Sequence, residues 1–452
     1  MNTNPAIARE GEISARRPVG PLAIARGLLG RLFDGSAESM AVELADGTSL
    51  YASRGPARAT IVARDLGALR SLILGPSGAA AAAAVVKGDL DVLGDAEFAI
   101  AEVENASERL STRDRVAIGL AALRLPSTPS TRADRAGRDA YRPRGRKHSL
   151  NRDKAAVSYH YDVSNEFYSM WLDRELVYSC AYFRDSGDTL DQAQLDKLDH
   201  ICRKLRLRSG ERFLDVGCGW GSLVRFAARE YGCTAVGITL SSRQAEYARE
   251  KIAAEGLSDR CSVDLIDYRQ LAPLGPFDKA ASVGMVEHVG SAMLPVYFRA
   301  VYDALAAGGL FLNHGITSQQ QLGSGVARFA ERLFPKKSTF IERYVFPDAD
   351  LPTLGDIVGA AESSGFEVRD VENLREHYAN TLRHWVRRLE AHETPARSAV
   401  GDETYNVWRF YMAGSAHGFA IGRMGLEQTL LVKRHSDGDA GVPLTRADIY
   451  RA

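Results

Sequence analysis

Between Phe213 and Ser222 the chain reads FLDVGCGWGS. A short apolar run enters three glycines, Gly217, Gly219 and Gly221, and leaves into a helical stretch. Glycines at such a strand-to-helix turn let a ligand approach the backbone closely. The strand-like runs CTAVGIT, SVDLID, DKAASVG and GLFLNHG follow, with helical segments between them. This alternation predicts an α/β fold, a Rossmann-like parallel, doubly wound sheet that binds its ligand at the carboxyl ends of the strands. A last strand, LEQTLLVK, comes after two long helical stretches.

The residues around the turn narrow the ligand. A dinucleotide needs an acidic residue about 20 positions on to hold its ribose. The second strand instead ends Gly237-Ile238-Thr239-Leu240-Ser241, without a carboxylate. S-adenosylmethionine has no phosphate. It needs close backbone approach at its amino-acid end and an acid near its ammonium, and Asp215-x-Gly217-x-Gly219-x-Gly221 suits that arrangement. A tight turn that holds nothing is the third reading of the same residues.

The 57 basic and 57 acidic residues balance, so global charge does not favour nucleic acid as the main ligand. No run of about 18 apolar residues suggests a membrane span, and the charged N-terminus lacks the apolar core of a signal peptide. Five cysteines, with no CxxC pair, fit a reducing cytoplasm and argue against disulfides or a structural metal site. Residues 1–125 read as a small α+β domain, with a basic amphipathic helix (PLAIARGLLGRLF), a hairpin at Asp46-Gly47 and an alanine-rich helix from Gly78 to Val86. KGDLDVLGD, from Lys87 to Asp95, reads as a turn-rich connection. Residues 126–155 read as a linker. Nine basic against three acidic residues between Thr131 and Lys154 give it a local charge of +6. It is either a solvated tether or a strip that attracts anionic headgroups. Residues 156–452 read as one α/β domain around the glycine turn, where any catalytic site is expected.

In combination, HYDVSN, YSCAYF, LDVGCGWG, GITLS-x-x-Q, DYR, SVGMVEHVG, NHGI and HYANTL resemble the cyclopropane fatty acid synthases and their mycolic acid relatives, from about Ala156 to Lys433. The N-terminal region resembles the extra domain of the longer, phospholipid-modifying members. The resemblance implies an S-adenosylmethionine-dependent enzyme that adds one carbon across a cis double bond of an acyl chain. Asp215, Gly217 and Gly219 would surround the methionine portion of the cofactor. Thr239, Leu240 and Gln244 would lie near the ribose, and Ile266 and Asp267 at the adenine. Tyr178 and Ser179 would close over it.

An alkene is a weak nucleophile, and its attack on a methyl leaves a carbocation that water must not reach. The resemblance implies a bound bicarbonate as the base that removes the next proton. Cys180, Glu287, His314, Ile316 and Tyr378 would hold it, with Glu287 orienting His314 and the bicarbonate. Cys180 would contribute its backbone as much as its thiol. His160 and His288 also sit in the motifs but receive no chemical step. Tyr161, Phe183 and Tyr268 are candidates for an aromatic lining, and Trp385 and Trp408 for core. The helical insertion from Thr317 to Phe346, with Val326, Phe329, Leu333 and Phe334 on its apolar face, reads as a cover over the acyl channel.

The partner would be unsaturated phospholipid at the inner face of the membrane, with the protein cytoplasmic and peripherally attached. The N-terminal domain and linker would dock it there or pair two subunits into a homodimer. A methylene- or methyl-branched product from the same cofactor, and methylation of a small amine, are the alternative activities.

Overall fold

The computed structural model describes residues 20–34, 39–53, 55–74, 84–127, 149–153, 155, 164–319, 344–346 and 350–450. The C-terminal part is built on a seven-stranded sheet. Its strands are β5 (Arg212–Val216), β6 (Thr234–Ile238), β7 (Cys261–Asp264), β8 (Phe277–Val283), β9 (Leu305–Ser318), β10 (Glu367–Asn373) and β11 (Met424–Val432), in the order β10-β11-β9-β8-β5-β6-β7. β9, β8, β5, β6 and β7 run parallel. The expectation of a parallel sheet needs one correction. β11 lies antiparallel between β9 and β10, and β10 was not foreseen as a strand.

The central strands are buried along nearly their whole length, as Phe213, Leu214, Asp215 and Val216 of β5 illustrate. Strands covered on both faces read as continuous apolar runs, which is why they stand out in the sequence. The turn after β5 explains its glycines. Gly221 sits at φ +79°, and a Cβ there would lie 2.8 Å from the Cβ of Ala248. Only glycine lets the Ser222–Tyr231 helix start so close to the Ser242–Ala254 helix.

The N-terminal part carries a smaller sheet in the order β2-β1-β3-β4, from β1 (Met40–Leu44), β2 (Ser49–Tyr51), β3 (Ala59–Ala63) and β4 (Leu90–Gly94). The hairpin at Asp46-Gly47 joins β1 to β2 as expected. The Pro21–Leu32 helix buries Ala25, Leu28 and Leu29 against this sheet's core. The stretch read as a connection is instead β4, paired antiparallel with β3. Leu90 and Val92 alternate inward from it, a period-2 signal hidden among turn-forming residues. Most of the alanine-rich helix and of the basic linker lies outside the described residues.

Two helices, Arg375–Ala391 and Glu393–Ala420, join the two parts. The second is broken at Gly401, where φ is +78°. Arg383 pairs with Glu97, and His417 and Arg423 both reach Glu104. Trp385 and Trp408 are core, as expected. They pack with Phe167, Tyr168 and Trp171 in an aromatic cluster that backs the catalytic cleft.

Candidate active site

Two clefts meet at the carboxyl ends of β5, β6, β8 and β9. The first follows from backbone geometry. Gly217 and Gly219 line it at φ +83° and +53°, together with Thr239, Leu240, Gln244 and Ile266. Thr239 Oγ1 donates to Gln244 Oε1 at 2.9 Å, which leaves the amide NH2 of Gln244 available to a ligand. Toward its inner end lie Tyr178, Ser179 and Asp215. Asp215 is 2% exposed, and its Oδ1 has no hydrogen-bond partner among the described residues. Burial raises its pKa to about 7, against the pull of nearby Lys197. A buried carboxylate oxygen left open in this way fits a cationic group such as an α-ammonium.

Of the residues expected at the cofactor, Asp267 alone is turned elsewhere. Its carboxylate caps Arg269 N at 2.9 Å and accepts from that guanidinium at 2.6 and 2.7 Å. Sequence reasoning missed Lys197. It is 1% exposed, on the Leu190–Lys204 helix, and lines the cleft beside Ser179 and Asp215. Its signal was a charge on the buried stripe of Leu190, Ala193, Gln194 and Ile201.

The second cleft is lined by Tyr178, Ser179, Cys180, Glu287, His288, His314, Ile316 and Tyr378, among others. It thus gathers every residue expected at the base: Cys180, Glu287, His314, Ile316 and Tyr378. Tyr178, Ser179 and Gly284 line both this cleft and the inner end of the first.

Glu287 lies on the short helix Val286–Val289, and its Oε1 accepts from Ile316 N at 2.7 Å. Gly315 makes that approach feasible, since a Cβ there would fall 2.2 Å from Val286 Cγ1. Burial pushes the Glu287 carboxyl up to about 7, and the Ile316 N–H partly offsets it. The other oxygen, Oε2, has no partner among the described residues.

The expectation that Glu287 orients His314 is corrected. Gln428, directly opposite on β11, places its Nε2 3.1 Å from His314 Nδ1. The amide donates, so the imidazole accepts at Nδ1 and carries its proton on Nε2. Burial, helped by Lys197, Lys204 and His200, holds His314 well below its usual pKa and therefore neutral. Its Nε2 is also without a partner among the described residues.

Cys180 is fully buried, and burial raises its thiol far above the usual range. Its Sγ lies 3.2 Å from the Ala181 carbonyl oxygen, so it is a protonated donor and no nucleophile.

The aromatic lining also differs from expectation. Phe183 stacks on His377 and His384 instead of facing the cleft. Tyr268 lines the cofactor cleft. Tyr161, His160 and the insertion residues Val326, Phe329, Leu333 and Phe334 lie outside the described residues. Tyr178, Phe346, Tyr378, Tyr411 and Phe419 supply the lining instead. Tyr411 and Phe419 come from a helix whose sequence carries no site motif.

An α/β sheet of this order, with an acid–glycine turn after β5 whose open carboxylate oxygen can meet an α-ammonium, is the frame of an S-adenosylmethionine-dependent methyltransferase, and the relatives place the chain in that class. The chain belongs to the mycolic acid cyclopropane synthetase family, which matches residues 148–429. It is 45% identical over 368 residues to a probable fatty acid methyltransferase of Pseudomonas putida, covering 81% of this chain and 86% of the relative. Cyclopropane mycolic acid synthase 1 of Mycobacterium tuberculosis is 35% identical over 281 residues, covering 61% of this chain and 95% of the relative. The crystal structure of mycolic acid cyclopropane synthase CmaA1 complexed with SAH and CTAB superposes with a TM-score of 0.57 at 33% identity, covering 62% of this chain and 97% of that one. Among the described residues no helix is long and apolar enough to cross a membrane.

Proposed function

We propose that the protein forms a cyclopropane ring on a cis-unsaturated acyl chain of a membrane phospholipid, with bicarbonate as the base. When bound, S-adenosylmethionine supplies an electrophilic methyl to the double bond. The chain's own residues do the rest. Asp215 and the Gly217 and Gly219 backbone hold the amino-acid end, Thr239, Leu240 and Gln244 the ribose, and Ile266 the adenine. Tyr178, Tyr378, Tyr411 and Phe419 line the cleft where positive charge develops on the acyl chain. Aromatic faces stabilise such charge and exclude the water that would trap it.

The observation that carries the reading is the pair of open polar atoms in one buried cleft, His314 Nε2 and Glu287 Oε2. A neutral imidazole can donate from Nε2, and the carboxyl, raised by burial, can donate to the same small oxyanion whenever it is protonated. Such donors are what a buried bicarbonate needs to stay ionised. Glu287, His314, the Ile316 backbone, Cys180 and Tyr378 would hold that base next to the transferred carbon. Loss of a proton from this carbon then closes the ring.

The test is incubation with S-adenosylmethionine and vesicles of mono-unsaturated phospholipid, read by lipid mass spectrometry and proton NMR. A gain of one CH2 with upfield cyclopropane protons supports ring closure. The same mass gain with vinylidene protons supports a second reading, acyl methylation that ends in a branched chain. The name of the Pseudomonas putida relative favours that one.

Membrane docking through the N-terminal part and the basic linker, or pairing of two subunits there, belongs to the same proposal. Flotation with anionic and neutral vesicles tests the docking, and equal binding to both would remove its electrostatic part.

A further inference from the structure

Lys197 has no role in the site as described so far, yet its placement is costly. It is 1% exposed, and among the described residues its Nζ makes one hydrogen bond, to Ser179 Oγ at 2.7 Å, and no ion pair. An ammonium has three N–H donors, and burying it with two of them unmet is strongly unfavourable. The nearby acids do not meet that need directly. Asp173 spends both carboxylate oxygens on the backbone, accepting from Glu175 N and Val177 N at 2.9 and 2.8 Å. Asp215 keeps Oδ1 open. Both acids act on Lys197 only through space, opposing the burial that lowers it to about 8.

The lysine, Ser179 and Asp215 line one cleft together with Gly217 and Gly219. Its inner end therefore carries a cation and an anion that are not paired with each other, which is the complement of a zwitterion.

We infer that Lys197 is the carboxylate-recognising residue of the cofactor site. With Ser179 it binds the α-carboxylate of the methionine portion, while Asp215 takes the α-ammonium. The inference rests on reading this cleft as the S-adenosylmethionine site. Because Lys197 donates to Ser179 Oγ, the serine hydroxyl is free to donate onward, and charge-assisted bonds of this kind are the strong ones. The carboxylate then supplies the counter-charge that the lysine lacks. The site thereby selects an intact amino-acid terminus over a decarboxylated one.

Calorimetry with the full chain tests this, using S-adenosylhomocysteine and its decarboxylated analogue, which keeps the thioether, adenosine and amine. The wild type is expected to prefer S-adenosylhomocysteine by about 10- to 100-fold. Lys197→Met is expected to lose that factor for S-adenosylhomocysteine and to bind the analogue within about threefold of wild type, so the preference collapses. A purely structural lysine would weaken both ligands together and leave the ratio intact, which would overturn the inference. Should Lys197→Met not fold, the wild-type ratio decides alone, and equal affinities overturn it. If wild type binds neither ligand, the reading of the cleft itself fails, a result distinct from equal binding.

Discussion

The two halves of the cleft are made differently. The cofactor half is centred on backbone, a glycine turn between β5 and the next helix, with half of its lining drawn from residues 215–244. The half next to it is side chain, and it joins Cys180, Glu287, His314 and Tyr378 from four separate elements. Shape written into the backbone is local and tolerates side-chain change. A polar constellation assembled at long range has no such tolerance, because each member depends on partners far away in the chain. Substitutions should therefore separate the two halves, leaving one intact while the other fails.

The sharpest separation is expected at Glu287 and His314. Glu287→Gln or His314→Ala should lower turnover on unsaturated phospholipid by at least about 100-fold. S-adenosylhomocysteine affinity should stay within a few fold by calorimetry. An equal loss in both measurements would mean that the halves are one unit.

Next comes pH. Burial raises the Glu287 carboxyl from 4.5 to about 7. Between those values the folded state binds more protons than the unfolded state, so stability falls as pH rises through that window. Glu287→Gln removes this contribution. Urea unfolding at pH 5 and pH 8 should show wild type losing on the order of 2 kcal/mol more than the variant. A parallel loss in both would show that the carboxyl titrates normally.

A smaller effect is expected at Gln428. Gln428→Leu removes the donor to His314 Nδ1, freeing the ring to change tautomer. Turnover should fall by about 10-fold, with cofactor affinity unchanged. Unchanged turnover would mean that another contact fixes the ring.

The smallest effect belongs to Cys180→Ser. The serine hydroxyl can donate to the same Ala181 carbonyl oxygen, so turnover within about threefold of wild type is expected. Complete loss with an intact fold would point to a chemical role for the thiol.

The same contrast governs what could be read from the sequence. β5, its glycine turn and the carboxylate-free end of β6 were legible because buried parallel strands are continuous apolar runs and glycine marks the turn. β4 and β10 were not, since Leu90 and Val92 alternate within turn-forming residues and Glu367–Asn373 is mostly polar. In the site, the residues expected at the base do share one cleft, but their partners were invisible. Gln428 faces His314 only because β11 enters the sheet antiparallel, a register that no local pattern announces. Lys197 was hidden for a related reason. A lysine on a helix reads as surface unless the stripe around it is followed turn by turn. Tyr411 and Phe419 lie on a helix without a site motif, and packing against the cleft, not spacing, gives them their place.

The position of β11 has a further consequence in time. Residues 305–318 leave the ribosome more than 100 residues before β11, so β9 lacks its second neighbour while the chain is made. The strands that frame the glycine turn, β5, β6 and β8, all precede β9 in the chain. They are therefore synthesised well before Gln428 can meet His314. The order of synthesis is also an order of assembly: the strands around the glycine turn come first, and the contact that fixes the His314 ring is made only when the last strand slides into the sheet.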